Sequence, residues 1–209
     1  MAMSGPILAD AIKVGLGFGA HATSAQNLGM ANNIVMHIQS GVVNFASGTI
    51  VGIAPPSGGP LIDGAGTGGS ITLVPATLEL AFATTFGVLT PEISGLANAI
   101  SLHVSSLGTV TFASGTITGV CTNTPLSPGV LIGSGSGGTI VGLSGAVLAT
   151  AIATGIGQAA PTPQLINMAT EIVNHIMGFA VVTLPSVTGT CPAGGGPIIG
   201  GAAAGGTIL

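Results

Sequence analysis

The chain has 209 residues, of which 37 are Gly and none is Trp or Tyr, and its formal net charge is −4. Charged side chains make up 3% of the residues, against roughly 25% in an ordinary soluble domain. Lys13 is the single basic residue other than His, which excludes a phosphate-neutralising nucleic-acid interface and a polybasic membrane anchor.

Four sequence blocks recur three times in the same order. An apolar segment opens each copy, a block containing His follows it, a Phe-Ala-Ser-Gly-Thr-Ile block comes next, and a glycine-rich block closes the copy. The glycine-rich blocks align without a gap at 60–71, 129–140 and 197–208, whereas the third Phe block is degenerate. Such periodicity is typical of internal repeats. It predicts three tandem units, 1–71, 72–140 and 141–209.

Each unit is predicted to begin with two helices. The first, at about 6–16, 76–86 and 146–156, carries Leu, Ala and Ile or Phe at i, i+3 and i+4, which is one face of a helix. The second, at 25–39, 91–105 and 163–177, has a clearer start. Thr90 and Thr162 place a hydroxyl at the N-cap with Pro directly after it, and Ser24 occupies this site in the first unit. Glycines near 41, 108 and 178 are expected to end these helices.

The remainder of each unit has β character. Segments 42–46 and 110–113 alternate in polarity and contain β-branched and aromatic residues, which favours strands. Clusters of Gly, Pro and Ser then separate short apolar pieces, the pattern of tight turns between brief strands. The chain is therefore predicted to be an α+β protein built from three α-α-β repeats of about 70 residues, with strand pairing left open.

Three similar units can stack in a line or close into a ring. Open solenoids usually need polar capping repeats at both ends, whereas the outer units here are as apolar as the middle one. We therefore expect a compact, closed pseudo-threefold arrangement rather than an open solenoid. Small residues at matched positions would let the backbones approach closely near the axis.

One histidine occupies the same position of the second helix in every unit: His37, His103 and His175. In a closed ring these imidazoles lie at equal radius, and at a small radius they would bind one metal ion, such as Zn or Fe, on the pseudo-threefold axis. The alternative, which we favour, is that each His packs on its own helix and donates a hydrogen bond to a nearby carbonyl. Because no positioned base accompanies the three, a metal there is expected to be structural.

Cys121 and Cys191 correspond in the second and third units, and Ala54 stands at this position in the first. Equivalent positions around a threefold axis can lie close enough for a disulfide. Two cysteines in a chain made in the cytoplasm are more often free, buried thiols. Both states remain open at this stage.

No pattern of catalytic residues is evident. None of the carboxylates recurs at one position of all three units, as a catalytic group built into the repeat would. The glycine-rich blocks lack the Lys-Ser/Thr ending of a phosphate-binding loop. The chain is therefore predicted not to be an enzyme and to bind no nucleotide. The five carboxylates are Asp10, Asp63, Glu79, Glu92 and Glu171.

Membrane and targeting signals are weak. The best candidate span, 140–158, contains four glycines and lacks basic flanks, whereas a transmembrane helix needs about 20 predominantly apolar residues. The first residues show no basic n-region of a signal peptide. We expect synthesis in the cytoplasm without a signal peptide, then function in a particle or export by a dedicated machine. Membrane contact stays open, through an assembled pore or piercing device.

A chain with almost no charged surface is expected to be covered by other proteins. Three equivalent faces on one chain suit a symmetric partner such as a trimeric spike. By analogy of architecture, the leading hypothesis is a non-enzymatic structural protein, a tip, plug or adaptor of a larger particle such as a phage-tail-like or contractile injection machine. The alternatives are a self-polymerising filament or tube subunit and a membrane-inserting pore or piercing protein.

Overall fold

The computed structural model describes residues 2–19 and 21–209. The chain divides into two compact units. The helical unit comprises Met1–Gly41, Leu73–Gly108 and Gly142–Ala180, and the barrel unit comprises Val42–Thr72, Thr109–Val141 and Val181–Leu209. Each predicted repeat thus contributes its first part to the helical unit and its second part to the barrel unit.

The helical unit contains six α-helices in the described residues. Every helix end lies within two residues of its predicted position, so the helix predictions are confirmed. Gly178, near which the last helix was expected to end, lies inside it, one residue before its end. The helices are α1 (Gly5–Gly15), α2 (Ala25–Gln39), α3 (Pro75–Phe86), α4 (Pro91–Leu107), α5 (Gly145–Gly155) and α6 (Pro163–Phe179).

Hydroxyl side chains begin the second helix of each pair, as predicted. Ser24, Thr90 and Thr162 are the N-cap residues of α2, α4 and α6. Each accepts a hydrogen bond from the backbone N–H three residues further on, at 3.1, 3.3 and 3.2 Å. These bonds satisfy N–H groups that the first turn of a helix leaves without an intrahelical partner.

The helices of this unit form a closed circuit of contacts. Each helix packs against the next along the chain, and α6 packs against α1. Small residues allow close crossings: a Cβ on Gly95 of α4 would collide with the backbone of Gly155 of α5. Aliphatic side chains such as Ile34, Ile100 and Ile172 are fully buried at corresponding positions of α2, α4 and α6.

The barrel unit is an antiparallel β-structure. The segments predicted to be strands, 42–46 and 110–113, lie in or overlap β1 and β4. The strands are β1 (Val42–Ala54), β2 (Gly59–Pro60), β3 (Ile62–Thr72), β4 (Thr109–Phe112), β5 (Ile117–Cys121), β6 (Gly129–Val141), β7 (Val182–Cys191), β8 (Gly196–Pro197) and β9 (Ile199–Ile208).

Six of these strands close into a barrel, a feature that the sequence did not predict. The antiparallel pairs β1–β3, β3–β4, β4–β6, β6–β7, β7–β9 and β9–β1 return to the starting strand. Both β4 and β5 pair with β6, one after the other along its length. The short strand β2 pairs with β5, and the short strand β8 pairs with β1. Closure leaves no long unpaired edge. The chain is thus an α+β protein with six helices and a closed six-stranded barrel.

The glycine-rich blocks make room for large side chains inside the barrel. A Cβ on Gly69 would lie 2.5 Å from two ring atoms of Phe45, closer than any van der Waals contact allows. Glycine is therefore required at this point because the neighbouring aromatic ring occupies the space of a side chain. The same relation occurs three times: Gly69 with Phe45, Gly138 with Phe112, and Gly206 with Leu184.

In the described part of the chain, none of the helices combines the length and the apolar character that crossing a membrane requires.

The barrel packing predicts the effect of adding one methyl group. Gly69→Ala should lower the free energy of unfolding by about 1–3 kcal/mol, because the new Cβ overlaps the Phe45 ring. Urea denaturation measures this loss. The control is Gly178→Ala, where the added Cβ meets open space and a helix gains stability from Ala. In a double-mutant cycle, Phe45→Leu should reduce the cost of Gly69→Ala; additive losses would contradict the proposed clash.

Candidate functional site

The three predicted histidines are buried polar groups of the helical unit. His37, His103 and His175 lie in the second halves of α2, α4 and α6 and are 4%, 4% and 3% exposed. Each lies three residues after a buried Ile, so the helical period places the imidazole on the apolar face. A buried imidazole needs hydrogen-bond partners, and these define the candidate site.

Two of the histidines hold the start of a neighbouring helix. His103 Nε2 accepts the backbone N–H of Ser144, the N-cap residue of α5, at 3.2 Å. His175 Nε2 accepts the backbone N–H of Ser4, the N-cap residue of α1, at 3.1 Å. Because a backbone N–H can only donate, both Nε2 atoms must be unprotonated in this arrangement.

His37 makes a different junction. Its Nδ1 lies 2.9 Å from Thr77 Oγ1 on α3, and its Nε2 lies 2.8 Å from Ser101 Oγ on α4. Each hydroxyl also donates to a backbone carbonyl of its own helix region, Thr77 to Val74 and Ser101 to Ala97. Hydroxyl oxygens keep a lone pair for an imidazole N–H. An imidazolium at His37 can donate to both hydroxyls, whereas a neutral ring keeps both partners when one hydroxyl turns its O–H from the backbone carbonyl to the unprotonated ring nitrogen.

Burial lowers the pKa of all three imidazoles, because desolvation disfavours the charged form. For His103 and His175 the location adds to this effect. The N-terminus of a helix carries partial positive charge, which disfavours an imidazolium. The structure thus favours neutral imidazoles at the starts of α5 and α1.

The structure shows no metal cluster in residues 2–19 and 21–209: nowhere do three or more His, Cys, Asp or Glu side chains come together in a group able to hold a metal. The three imidazoles instead make hydrogen bonds at three junctions, and the bonds of His103 and His175 use the Nε2 lone pair that a metal would need. A Zn or Fe ion on His37, His103 and His175 stays a prediction of the sequence.

The carboxylates are engaged in local contacts. Asp10 accepts a hydrogen bond from Thr23 and pairs with Lys13, and these contacts lower its pKa. Hydrogen bonds from Thr90 and from its own backbone lower the pKa of the Glu92 carboxylate, in the first turn of α4. Glu92 thus lies at the start of α4, and the Asp10 contact ties α1 to the loop that follows it.

The two cysteines meet in the barrel unit. Cys121 ends β5 and Cys191 ends β7, and their sulfurs are bonded, with the Cα atoms 5.9 Å apart. Both residues are buried. Of the two states that the sequence left open, the structure contains the disulfide.

Apolar depressions occur in the helical unit. A groove of about 700 Å³ runs between α4 and α5, and Leu102, His103 and Val147 contribute to its lining. A second, of about 400 Å³, lies among the facing ends of α3, α4, α5 and α6, with Glu92 as the one charged residue in its lining. A third, of about 230 Å³, lies between α2 and α3, and its lining includes His37 and Thr77. None of these three linings brings a nucleophile, a base and an acid together.

The comparisons with known proteins found no protein-family model, no curated protein and no solved structure that matches the chain. The partners of the histidines were missed by sequence reasoning. Ser4 and Ser144 precede the first helices of two predicted repeats, each followed by Gly. That spacing was a usable N-cap signal, but nothing in it indicates a bond to a histidine more than 40 residues away.

Acid should weaken the helical unit through His103 and His175. The pKa of each imidazole in the folded chain lies below the unfolded value of 6.5, so the unfolded chain binds more protons below that pH. The free energy of unfolding is therefore highest above pH 6.5 and falls as the pH is lowered toward the folded pKa. The urea midpoint should be lower at pH 5 than at pH 7.5. In His103→Gln/His175→Gln the amide oxygen accepts the N–H without titrating, which should flatten the pH dependence.

The comparison variant is His37→Gln, whose hydroxyl partners serve both protonation states. Because burial lowers the pKa of His37 as well, this variant should remove one histidine's share of the pH dependence, and the double variant should remove a larger share. An unchanged pH dependence in the double variant would show that other groups are responsible.

Metal content provides a separate test. Because the Nε2 lone pairs accept backbone N–H groups, we expect purified protein to contain no stoichiometric Zn or Fe by elemental analysis, and a chelator to leave the melting temperature unchanged. If the protein contained one metal ion per chain and its melting temperature fell after chelation, the result would support a metal site at the three histidines.

Proposed function

We propose that the protein is a non-enzymatic structural component of a larger particle, a pseudo-threefold tip, plug or adaptor that docks onto a trimeric protein partner. In this proposal the three predicted repeats form one closed ring, and each presents an equivalent surface to one subunit of the partner. The particle is of the kind found in phage-tail-like or contractile injection machines, by analogy of architecture.

The observation that carries the proposal is a set of exposed side chains at one end of the barrel. The connections β1–β3, β5–β6 and β7–β9 all turn at this end, because neighbouring strands of the closed barrel are antiparallel. Just before each turn, an exposed cross-strand pair occurs at the same place. These six residues, the hairpin rim, are Ile53 with Ile62, Val120 with Ile132, and Thr190 with Ile199.

Five of the six rim residues are large and apolar, and 46–66% of each is exposed to solvent. Exposed apolar patches bounded by polar surface commonly mark protein interaction sites. A rim that repeats three times around one chain fits a partner that offers the same contact three times. This match of exposed apolar residues to an internal symmetry supports docking onto a trimer.

Contacts between the hairpins also follow a cyclic order. Residues Gly59 and Pro60 pair with the end of β5, the start of β6 pairs with the end of β7, and Gly196 and Pro197 pair with the end of β1. In the helical unit, the helix circuit likewise returns from α6 to α1. Both circuits support the proposed ring of three repeats.

The chemistry of the barrel unit supports a structural role. In the sequence of the barrel unit, Asp63 is the only residue of an ionisable type apart from the two cysteines, and these are bonded to each other. A surface with one charge suits burial in a protein contact, and offers little to an acid–base mechanism.

Photo-crosslinking from the rim tests the proposal. A photoreactive amino acid is placed singly at Ile62, Ile132 or Ile199 in particles assembled in the native host. If the three positions are equivalent, all three should crosslink to the same segment of one partner protein, at one copy of this chain per partner trimer. Mass spectrometry of the crosslinked peptides measures both.

The control position is Leu80, which is 70% exposed on α3 in the helical unit; it should not give that crosslink. Crosslinks to a second copy of the chain would favour the filament or tube, and crosslinks to lipid would favour the pore. Three different partner segments from the three positions would contradict pseudo-threefold docking. The triple variant Ile62→Ser/Ile132→Ser/Ile199→Ser should fold normally but fail to enter particles, because exposed substitutions usually change stability by about 0.5 kcal/mol or less.

A further inference from the structure

The disulfide lies directly beneath the hairpin rim. The rim residues Val120 and Thr190 immediately precede Cys121 and Cys191, and Ile53 immediately precedes Ala54. Along a strand, consecutive side chains point to opposite faces. The exposed rim side chains therefore alternate with side chains that are buried: Ala54 is 1%, Cys121 2% and Cys191 0% exposed.

These three strand ends converge. The sulfurs of the two cysteines are bonded, with 5.9 Å between their Cα atoms. The residue after Ala54 contacts the second connection, because the Asn123 side-chain amide donates to the Pro55 carbonyl at 2.8 Å. The backbone N–H of Gly194 donates to the Thr124 carbonyl at 3.0 Å, which joins the third connection to the second.

The disulfide connects strands that are not hydrogen-bonded neighbours, because β6 lies between β5 and β7. It thus joins covalently, at this end of the barrel, two hairpins that the backbone does not connect there. The hairpin β1–β3 has Ala54 at the corresponding position and lacks such a link.

We propose that the Cys121–Cys191 disulfide is a redox-sensitive staple that fixes the geometry of the hairpin rim. In the oxidised chain the two hairpins that carry Ile132 and Ile199 are held together. In the reduced chain they open and close more freely. The inference that the disulfide holds the hairpins together rests on the structure alone. The inference that this affects docking rests on the proposed function.

The chemistry is a thiol–disulfide exchange with a dithiol. One thiolate of the dithiol attacks a cysteine sulfur, forming a mixed disulfide and releasing the other cysteine as a thiolate. The second thiol of the dithiol then displaces the first cysteine, so the dithiol becomes a disulfide and the chain gains two electrons and two protons. Because both sulfurs are buried, this exchange requires the hairpins to open first. In a reducing cytoplasm the thiols persist. In an oxidising environment the exchange runs in reverse with a disulfide-bearing oxidant, which is reduced to its dithiol by the two electrons and two protons that the cysteines lose.

Hydrogen exchange on the full-length chain tests the staple. Reduction with dithiothreitol should accelerate amide exchange about tenfold or more in the β5–β6 and β7–β9 hairpins. The unstapled β1–β3 hairpin should change less, and the helical unit, which has no cysteine, should not change. The double variant Cys121→Ser/Cys191→Ser should reproduce the reduced pattern without any reductant. Intact mass confirms each state, since the oxidised chain is lighter by two hydrogen atoms.

A third variant tests the convergence of the strand ends. In Ala54→Cys the introduced thiol should compete for both native cysteines, so peptide mapping should find all three pairings, each leaving one free thiol. If only the native pairing forms and the introduced thiol always remains free, the shared site beneath the rim is wrong.

The outcomes separate this inference from the proposed function. Unchanged hairpin exchange after verified reduction would overturn the staple, whatever the partner is. Faster exchange with an intact Ile62 crosslink, and weaker crosslinks from Ile132 and Ile199, would support control of docking by the staple. Faster exchange with all three crosslinks unchanged would overturn that control. Absence of crosslinks even in the oxidised chain would contradict the proposed function but leave the staple standing.

Discussion

Closure of the six-stranded barrel is the constraint on which the barrel unit depends, because every strand must pair on both sides around the circuit. Large side chains such as Phe45 and Phe112 fill the interior, and this is compatible with closure only where the facing residue has no side chain. The glycine-rich blocks therefore have a steric function. Their positions correspond in the three predicted repeats because a large residue stands opposite each of them: Phe45, Phe112 or Leu184.

In the helical unit, buried polar groups constrain how the helices pack. Its core is mostly aliphatic, yet three imidazoles are buried in it, each hydrogen-bonded to a group at the next helix in the circuit. A buried polar group without a partner is costly, so these bonds favour one arrangement of the helices over alternatives that leave an imidazole unpaired. Two of the bonds require a neutral ring, whereas the hydroxyls around His37 accept either state. Nearly identical sequence blocks thus produce chemically different junctions.

The 3% charge content acquires a more specific meaning from the structure. In the barrel unit, low charge coincides with a rim of exposed Ile and Val side chains at the end where the three hairpins turn, next to the disulfide. An apolar rim that water would otherwise contact gains free energy when a partner covers it. Exposed apolar side chains also occur elsewhere, such as Met36 and Leu80 in the helical unit, but in the barrel unit a set of them gathers at the end where three hairpins turn.

Local signals in the sequence determined the helices. The N-cap hydroxyls of Ser24, Thr90 and Thr162 and the apolar period of each helix act within a few residues, so the chain reveals them directly. The same holds for the correspondence of Cys121 with Cys191 and for the recurrence of the three histidines. The sequence could not decide which strands pair, what each histidine binds or whether the thiols meet, because these depend on contacts between residues far apart in the chain. His175 bonding to Ser4 is such a contact, and only the tertiary structure brings the two together. Equal positions in a repeat give the three histidines similar places on their helices but do not determine the distance between the three rings, so a shared metal stays a prediction.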